Sequence, residues 1–376
     1  MSSTDLRKST LGAARNVVIK LGTQLLSGDD DALDLRYLRD LARQVRSLRD
    51  AGRTVTLVVS GAIGEGCRAL ALKQRPRDVA ALQAAAAVGQ PRLMRHLHDA
   101  FSRQGQTVAQ LLLTRGDFDD RIRFLNIRNC VVELHEAGCV PVINENDTVA
   151  VDEIEALRLG ENDILAAMIC NALRADALVL LSVVDGLQDN RGRRIDRVDA
   201  IDDAAHHVQA HRSALGKGGM RTKLEAAGIA TAAGEVTVIA HGRDRNILPR
   251  LFAGEAVGTI FAPVPRKLDS RRRWIGMTRR PTGKIVVDHG AAEALRRRGK
   301  SLLAIGIVAV HGRFRRGEVV RACDPDGAEV GRGLTNYSHT ELAKIQGCRS
   351  SQFARLLGHP GHAEVIHRDN FVLFSH

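Results

Sequence analysis

Aromatic residues are scarce in this chain, 3% of 376, with a single tryptophan and two tyrosines. No run of about 18 apolar residues occurs, which argues against a membrane-spanning helix. The opening stretch, MSSTDLRKSTLGAARN, lacks the apolar segment of a secretory leader, so residues 1–15 read as a flexible tail and the expected location is cytoplasmic. Cysteine is confined to six positions (Cys67, Cys130, Cys139, Cys170, Cys323, Cys348) with no C-x-x-C or Cys/His ligand spacing. No metal site is therefore read from the sequence, and buried free thiols in a reducing compartment are expected. Also missing is a serine–histidine–acid or other base–nucleophile set, since the histidines are scattered.

What is present is unevenly distributed. The apolar fraction of 44% is ample for a core, and the length favours a second domain. The net charge is +12, yet residues 1–263 hold 34 Lys and Arg against 33 Asp and Glu. Residues 264–376 hold 21 against 10, beginning in the run PRKLDSRRRW. A basic last third beside a neutral body raises RNA as a partner. Its few aromatics, among them Trp274, Phe314 and Tyr337, weaken a base-stacking role.

Through residue 262, short β-branched or leucine-rich runs alternate with helical patterns. Strands are expected at Val17–Lys20, Val55–Ser60, Val108–Leu113, Val140–Ile143, Leu178–Ser182 and Val236–Ala240. Between the first two, Leu35, Leu38, Ala42, Val45 and Leu48 recur at helical spacing. Residues 79–103 and 118–137 read as further helices. Strands apolar on both faces, alternating with helices, give an α/β class with a mostly parallel sheet and helices on both faces. From Thr282 the pattern shifts to short strand-like pieces (GKIVVD, SLLAIGIVAV, GEVVRACD, EVIHRDNFVLF) with one helix at Ser338–Ile345. The expected organisation is a tail at 1–15, an α/β domain at 16–263, a basic linker at 264–281 and a small mainly-β domain at 282–376.

In an open parallel sheet, ligands gather at the carboxyl ends of the strands. There the chain places IKLGT (Lys20, Gly22, Thr23), SGAIGEG from Ser60, NEND from Asn144, GENDI from Gly160, SVVDG from Ser182, and GKGGMRTKLEAA from Gly216. Two lysines, glycine-lined loops and a carboxylate/amide cluster suit phosphoryl transfer from a nucleotide, where the protein positions groups and neutralises charge. Glycines let backbone N–H groups approach phosphate, and helix N-termini favour anions. An acceptor that is itself a carboxylate needs no general base; the obstacle is repulsion between two anions. Lys20 and Lys223, held in register by an aspartate, would answer it.

KLGT, VVSGAIGEG, VPVINENDTV, GENDIL and GKGGMRTKLEAA, in this order, resemble the amino acid kinase superfamily. Together with RFLN (Arg123–Asn126) and GRFRRGEV (Gly312–Val319) in a last third similar to a PUA domain, they resemble the bacterial glutamate 5-kinases in particular. The resemblance implies ATP as co-substrate with Mg²⁺, L-glutamate as acceptor at its γ-carboxylate, proline as an inhibitor, a homo-oligomer, and the first step toward proline. It assigns catalysis to Lys20, Lys223 and Asp163. Acceptor binding falls to Ser60, Gly61, Ala62, Asn144, Asp147 and Asn162. ATP binding falls to Lys20, Gly22, Thr23, Ser182, Lys217, Gly218, Gly219, Met220, Arg221, Thr222 and Lys223. Under it, Asp147 would meet the substrate ammonium and the amides of Asn144 and Asn162 its carboxylates. Three departures stand out. Val183 replaces the aspartate usual after Ser182, Lys217 stands where threonine is common, and Gln24 replaces a serine.

Overall fold

Strand β1 (Asn16–Leu21) is apolar on both faces except at Asn16, which opens it, and Lys20, and it lies in the middle of an eight-stranded sheet. The computed structural model describes residues 2–28, 32–149, 161–201, 204, 219–264, 272, 275–276 and 280–374. It divides into two compact units, Met1–Lys267 and Leu268–His376.

In the first unit the sheet is built from β1, β2 (Thr54–Val58), β3 (Thr107–Leu113), β4 (Cys139–Glu145), β5 (Ala177–Ser182), β6 (Arg197–Val198), β7 (Val236–His241) and β8 (Thr259–Phe261). Their spatial order is β3-β4-β2-β1-β5-β7-β8-β6, parallel throughout except for β7 against β8. The register aligns the strand ends. Lys20 sits beside Val58 and Leu180, and Val58 beside Ile143. Ser60, Asn144 and Ser182 therefore emerge along one edge.

The helices of this unit are α1 (Ser3–Arg7), α2 (Thr23–Leu26), α3 (Leu35–Asp50), α4 (Ala62–Ala69), α5 (Val79–Ser102), α6 (Gly116–Asp119), α7 (Arg121–Glu136), α8 (Glu161–Leu173), α9 (Gly219–Ala233) and α10 (Ile247–Phe252). In α3 the apolar stripe Leu38, Leu41, Ala42, Val45 and Leu48 is buried, and Asp34 caps the N–H groups of Arg36 and Tyr37. Leu35, expected on that stripe, is exposed because it opens the helix. The single helix expected over 118–137 is broken at Asp120, whose carboxylate caps Ile122 and Arg123 instead. Helices α4 and α5 meet through glycine. A Cβ on Gly66 would stand 1.7 Å from the Ala85 carbonyl, and one on Gly89 1.8 Å from the Ala62 carbonyl.

The flexible tail expected at residues 1–15 is corrected by the structure. Its described part is α1 followed by a π-turn (Lys8–Gly12), with Leu6 and Leu11 in the core. Arg7 is fully buried and donates to the carbonyls of Val257, Gly258 and Asp196 and to the Asp196 carboxylate at 2.8–3.1 Å. An arginine so buried persists only where its donors find acceptors, and the residues just ahead of β8 and β6 supply them to Nη1 and Nη2. The cysteines also differ from expectation. All six are free, but only Cys170 and Cys323 are buried, and Cys130 is exposed.

The second unit is a five-stranded sheet ordered β10-β9-β11-β12-β13, from β9 (Gly283–Val287), β10 (Ile307–Gly312), β11 (Val319–Cys323), β12 (Glu329–Leu334) and β13 (Phe371–Leu373). Helices α11 (His289–Arg298), α12 (His339–Ile345) and α13 (Phe353–Leu357) accompany it. Of SLLAIGIVAV only the end is strand, and of EVIHRDNFVLF only Phe371–Leu373. Among the described residues no helix is long and apolar enough to cross a membrane.

Candidate active site

Lys20 leaves the end of β1 and is buried, with Nζ 2.7 Å from Asp163 Oδ1. Asp163 lies in the first turn of α8. Lys223, in the second turn of α9, brings its Nζ to within 3.1 Å of Asp163 Oδ2 and bends back to donate to the Gly219 carbonyl at 3.3 Å. Thr222 Oγ1 adds a hydrogen bond to the same Asp163 oxygen at 3.0 Å. Three chain segments distant in sequence thus converge on one carboxylate of zero exposure.

Burial alone would push the Asp163 carboxyl up, but Lys20 and Lys223 outweigh it and hold it below the usual carboxylate range. The cluster carries two positive charges and one negative. Its net charge is one unit positive in a setting with little water, where attraction for an anion is strong. Gly22 follows β1 and opens α2 at Thr23; a Cβ on it would stand 4.0 Å from Lys20 Nζ. Ser182 ends β5, where its carbonyl accepts from Gly242 N–H, and Val183 beyond it is exposed. Gly219, Met220 and Arg221 form the start of α9. Lys217 and Gly218 lie outside the described residues.

Beside this cluster runs a line of amides. Asn162, next to Asp163, donates from Nδ2 to Ser60 Oγ at 3.0 Å and to Asn144 Oδ1 at 3.4 Å. Asn144 Oδ1 also accepts from Glu145 N–H at 2.9 Å, and its Nδ2 donates to Gln90 Oε1 at 2.8 Å. Ser60 leads into Gly61, whose φ of 109° belongs to the left-handed region, and α4 begins at Ala62. Asp147 is buried just beyond β4. Within the protein the Asn144 carbonyl accepts twice and one hydrogen of its amino group goes to Gln90, which leaves the other hydrogen for a substrate carboxylate.

Gln90 was missed by sequence reasoning. It follows an alanine-rich stretch of α5, QAAAAVGQ, where a lone buried amide is the one signal that could have marked it. The role of Thr222 toward Asp163 was missed as well, since its neighbours suggested only a nucleotide loop.

The carboxyl edge thus carries two buried ammonium groups across one carboxylate, a net positive site that can attract an anion. Residues 15–241 match the amino acid kinase family, and residues 283–357 match the PUA domain. The glutamate 5-kinase of Cyanothece sp. is 46% identical over 370 residues, 96% of this chain and 99% of the relative. That of Syntrophotalea carbinolica is 43% identical over 375 residues, 98% of this chain and 100% of the relative. Among solved structures, carbamate kinase from Giardia lamblia bound to AMP-PNP matches at a TM-score of 0.49 and 16% identity, covering 67% of this chain and 99% of that one. The chain belongs to the amino acid kinase family and, within it, to the glutamate 5-kinases; it is a kinase.

Proposed function

We propose that this kinase transfers the γ-phosphoryl group of ATP to the γ-carboxylate of L-glutamate, as the first step toward proline. A carboxylate oxygen of glutamate attacks the γ-phosphorus, the bond to the β,γ-bridging oxygen breaks, and ADP departs with that oxygen. A glutamate side chain is ionised well below neutral pH, so no proton has to be removed. The task left to the protein is to offset repulsion between the carboxylate and the triphosphate.

The observation that carries this reading is the Lys20–Asp163–Lys223 cluster abutting the Ser60–Asn162–Asn144 amides. In it, Lys20 holds the phosphates from the β1 side, and Lys223 stabilises charge on the phosphoryl group in transit. Asp163 keeps the two ammonium groups from repelling each other and fixes where they point. Asp147 receives the substrate ammonium, joined by Asn162 Oδ1 rather than by a carboxylate contact as expected, because Asn162 Nδ2 is taken by Ser60 and Asn144. Ser60 with Gly61 and Ala62 closes that side of the pocket. Gly22, Thr23, Ser182 and the segment Lys217–Lys223 surround the nucleotide.

Mg²⁺ belongs to this reading as a partner of the triphosphate. Among the described residues no group of three or more His, Cys, Asp or Glu is placed to hold a metal, and both Asp163 oxygens face lysines. With both Asp163 oxygens engaged, the cation is proposed to be carried on the phosphate oxygens of the nucleotide. When bound, it neutralises part of the phosphate charge. Proline, sharing the α-carboxylate and amine of glutamate, is proposed to compete for the same pocket, and the enzyme to act as a homo-oligomer in the cytoplasm.

The test is direct. Purified protein with ATP, Mg²⁺, glutamate and hydroxylamine is expected to yield the glutamyl hydroxamate. Hydroxamate formed with aspartate or acetylglutamate but not with glutamate would reassign the acceptor.

A further inference from the structure

The amides beside the lysine cluster have a fixed direction, set by a backbone group that cannot flip. Glu145 N–H donates to Asn144 Oδ1, so Asn144 must turn Nδ2 the other way, where it meets Gln90 Oε1. Gln90 accordingly turns Nε2 away from Asn144. On the other flank, Asn162 Nδ2 is taken by Ser60 Oγ and Asn144 Oδ1, which turns Asn162 Oδ1 away from both. The line ends in two atoms with no hydrogen-bond partner among the described residues: Gln90 Nε2, a donor, and Asn162 Oδ1, an acceptor. Both side chains sit in residues over nine-tenths buried, at 7% and 9% exposure. Buried polar atoms are seldom left unpaired, and the exceptions call for an explanation.

An α-amino acid explains this pair, because its carboxylate accepts and its ammonium donates. Gln90 reaches the site through β4, two strands away from β1 and Lys20, or roughly 10 Å across the sheet. That separation suits the carboxylate remote from the phosphoryl group. Its helix is also well anchored. Gly89 packs its backbone onto the Ala62 carbonyl, directly after the Ser60–Gly61 turn.

We propose that Gln90 is an acceptor-binding residue. It holds Asn144 through Oε1 and presents Nε2 to the α-carboxylate of the substrate, while Asn162 Oδ1 faces the ammonium. This rests on the reading above that the pocket takes an amino-acid acceptor.

The experiment compares KM for glutamate and for ATP in the full-length enzyme and in Gln90→Glu and Gln90→Met. Gln90→Glu is nearly isosteric and keeps an acceptor for Asn144, but it puts a carboxylate oxygen where the donor was. Losing one hydrogen bond to a charged group is expected to raise KM for glutamate about tenfold in Gln90→Met. The rise should be larger in Gln90→Glu, where repulsion is added. KM for ATP should stay within about twofold in both. An unchanged KM for glutamate in Gln90→Glu overturns the proposal, and so does a parallel rise in both KM values, which marks a structural role. Should the wild type prefer another amino acid, glutamate as substrate fails by itself; the same comparison with that acceptor then decides on Gln90.

Discussion

At the scale of single residues, Asp163 carries the most consequence. Its two oxygens face two buried ammonium groups, so Asp163→Asn leaves positive charges without a counter-charge in a site closed to water. Breaking a buried pair on one side costs about 3–5 kcal/mol, and a lowered denaturant midpoint is the expected readout. The ionised carboxylate is the form the fold favours. Its contribution is therefore complete above its ordinary value of 3.8 and is lost as pH falls below that. His135 acts over a different window. Burial, assisted by Arg49, lowers its pKa from 6.5 to about 4, while Thr56 Oγ1 lies 2.9 Å from its Nε2. Between those two values the unfolded chain binds the proton more readily than the folded one, so stability falls as pH drops through the window. The urea midpoint of the wild type should decline from pH 6.5 to 4.5 more steeply than that of His135→Gln. Parallel curves would remove His135 as a cause.

At the scale of elements, the crossing of α4 and α5 makes the sharpest demand. Gly89→Ala drives a methyl into the Ala62 carbonyl, a clash with backbone rather than with a side chain that can swing aside. A loss of about 3 kcal/mol or more, seen as a drop of several degrees in melting temperature, is expected. The same elements mark how far the sequence could be read. Five of the six long strands show as apolar runs because both their faces are buried, and the edge strand β3, only half-buried, still carries an apolar run. Lys20 is legible as a lone charge at the end of such a run, whereas Asp163 and Lys223 gain their roles from the family resemblance. The short pair β6 and β8 leaves too little pattern to read. Strand β12, with Gly331 and Gly333, reads as a turn, yet glycine is required there because the Val372 carbonyl and the Phe371 ring press against it. Helix α1 was hidden for another reason: its polar residues suggest a tail, and only the fold reveals that Arg7 meets carbonyls 250 residues away. Gln90 likewise gains meaning only when β4 is brought beside α5.

At the scale of the whole molecule, charge and chemistry are divided between the units. The excess of basic residues lies in residues 264–376, while the lysine–carboxylate cluster lies in the first unit. In the second unit Phe314, Tyr337, Phe353 and Phe371 are buried, which withdraws them from stacking on exposed bases. Any RNA retention should therefore be electrostatic and fade between about 50 and 200 mM salt in a gel-shift titration. Persistence at the higher salt would argue for specific recognition. The proposed chemistry depends on two ammonium groups letting a carboxylate and a triphosphate approach each other. Its most direct test is the turnover of glutamate and ATP by Lys20→Met and Lys223→Met, each checked for an unchanged circular dichroism spectrum. A fall in kcat of about 10²–10³-fold in each variant is the predicted result, and folded variants that turn over within tenfold of the wild type would contradict it.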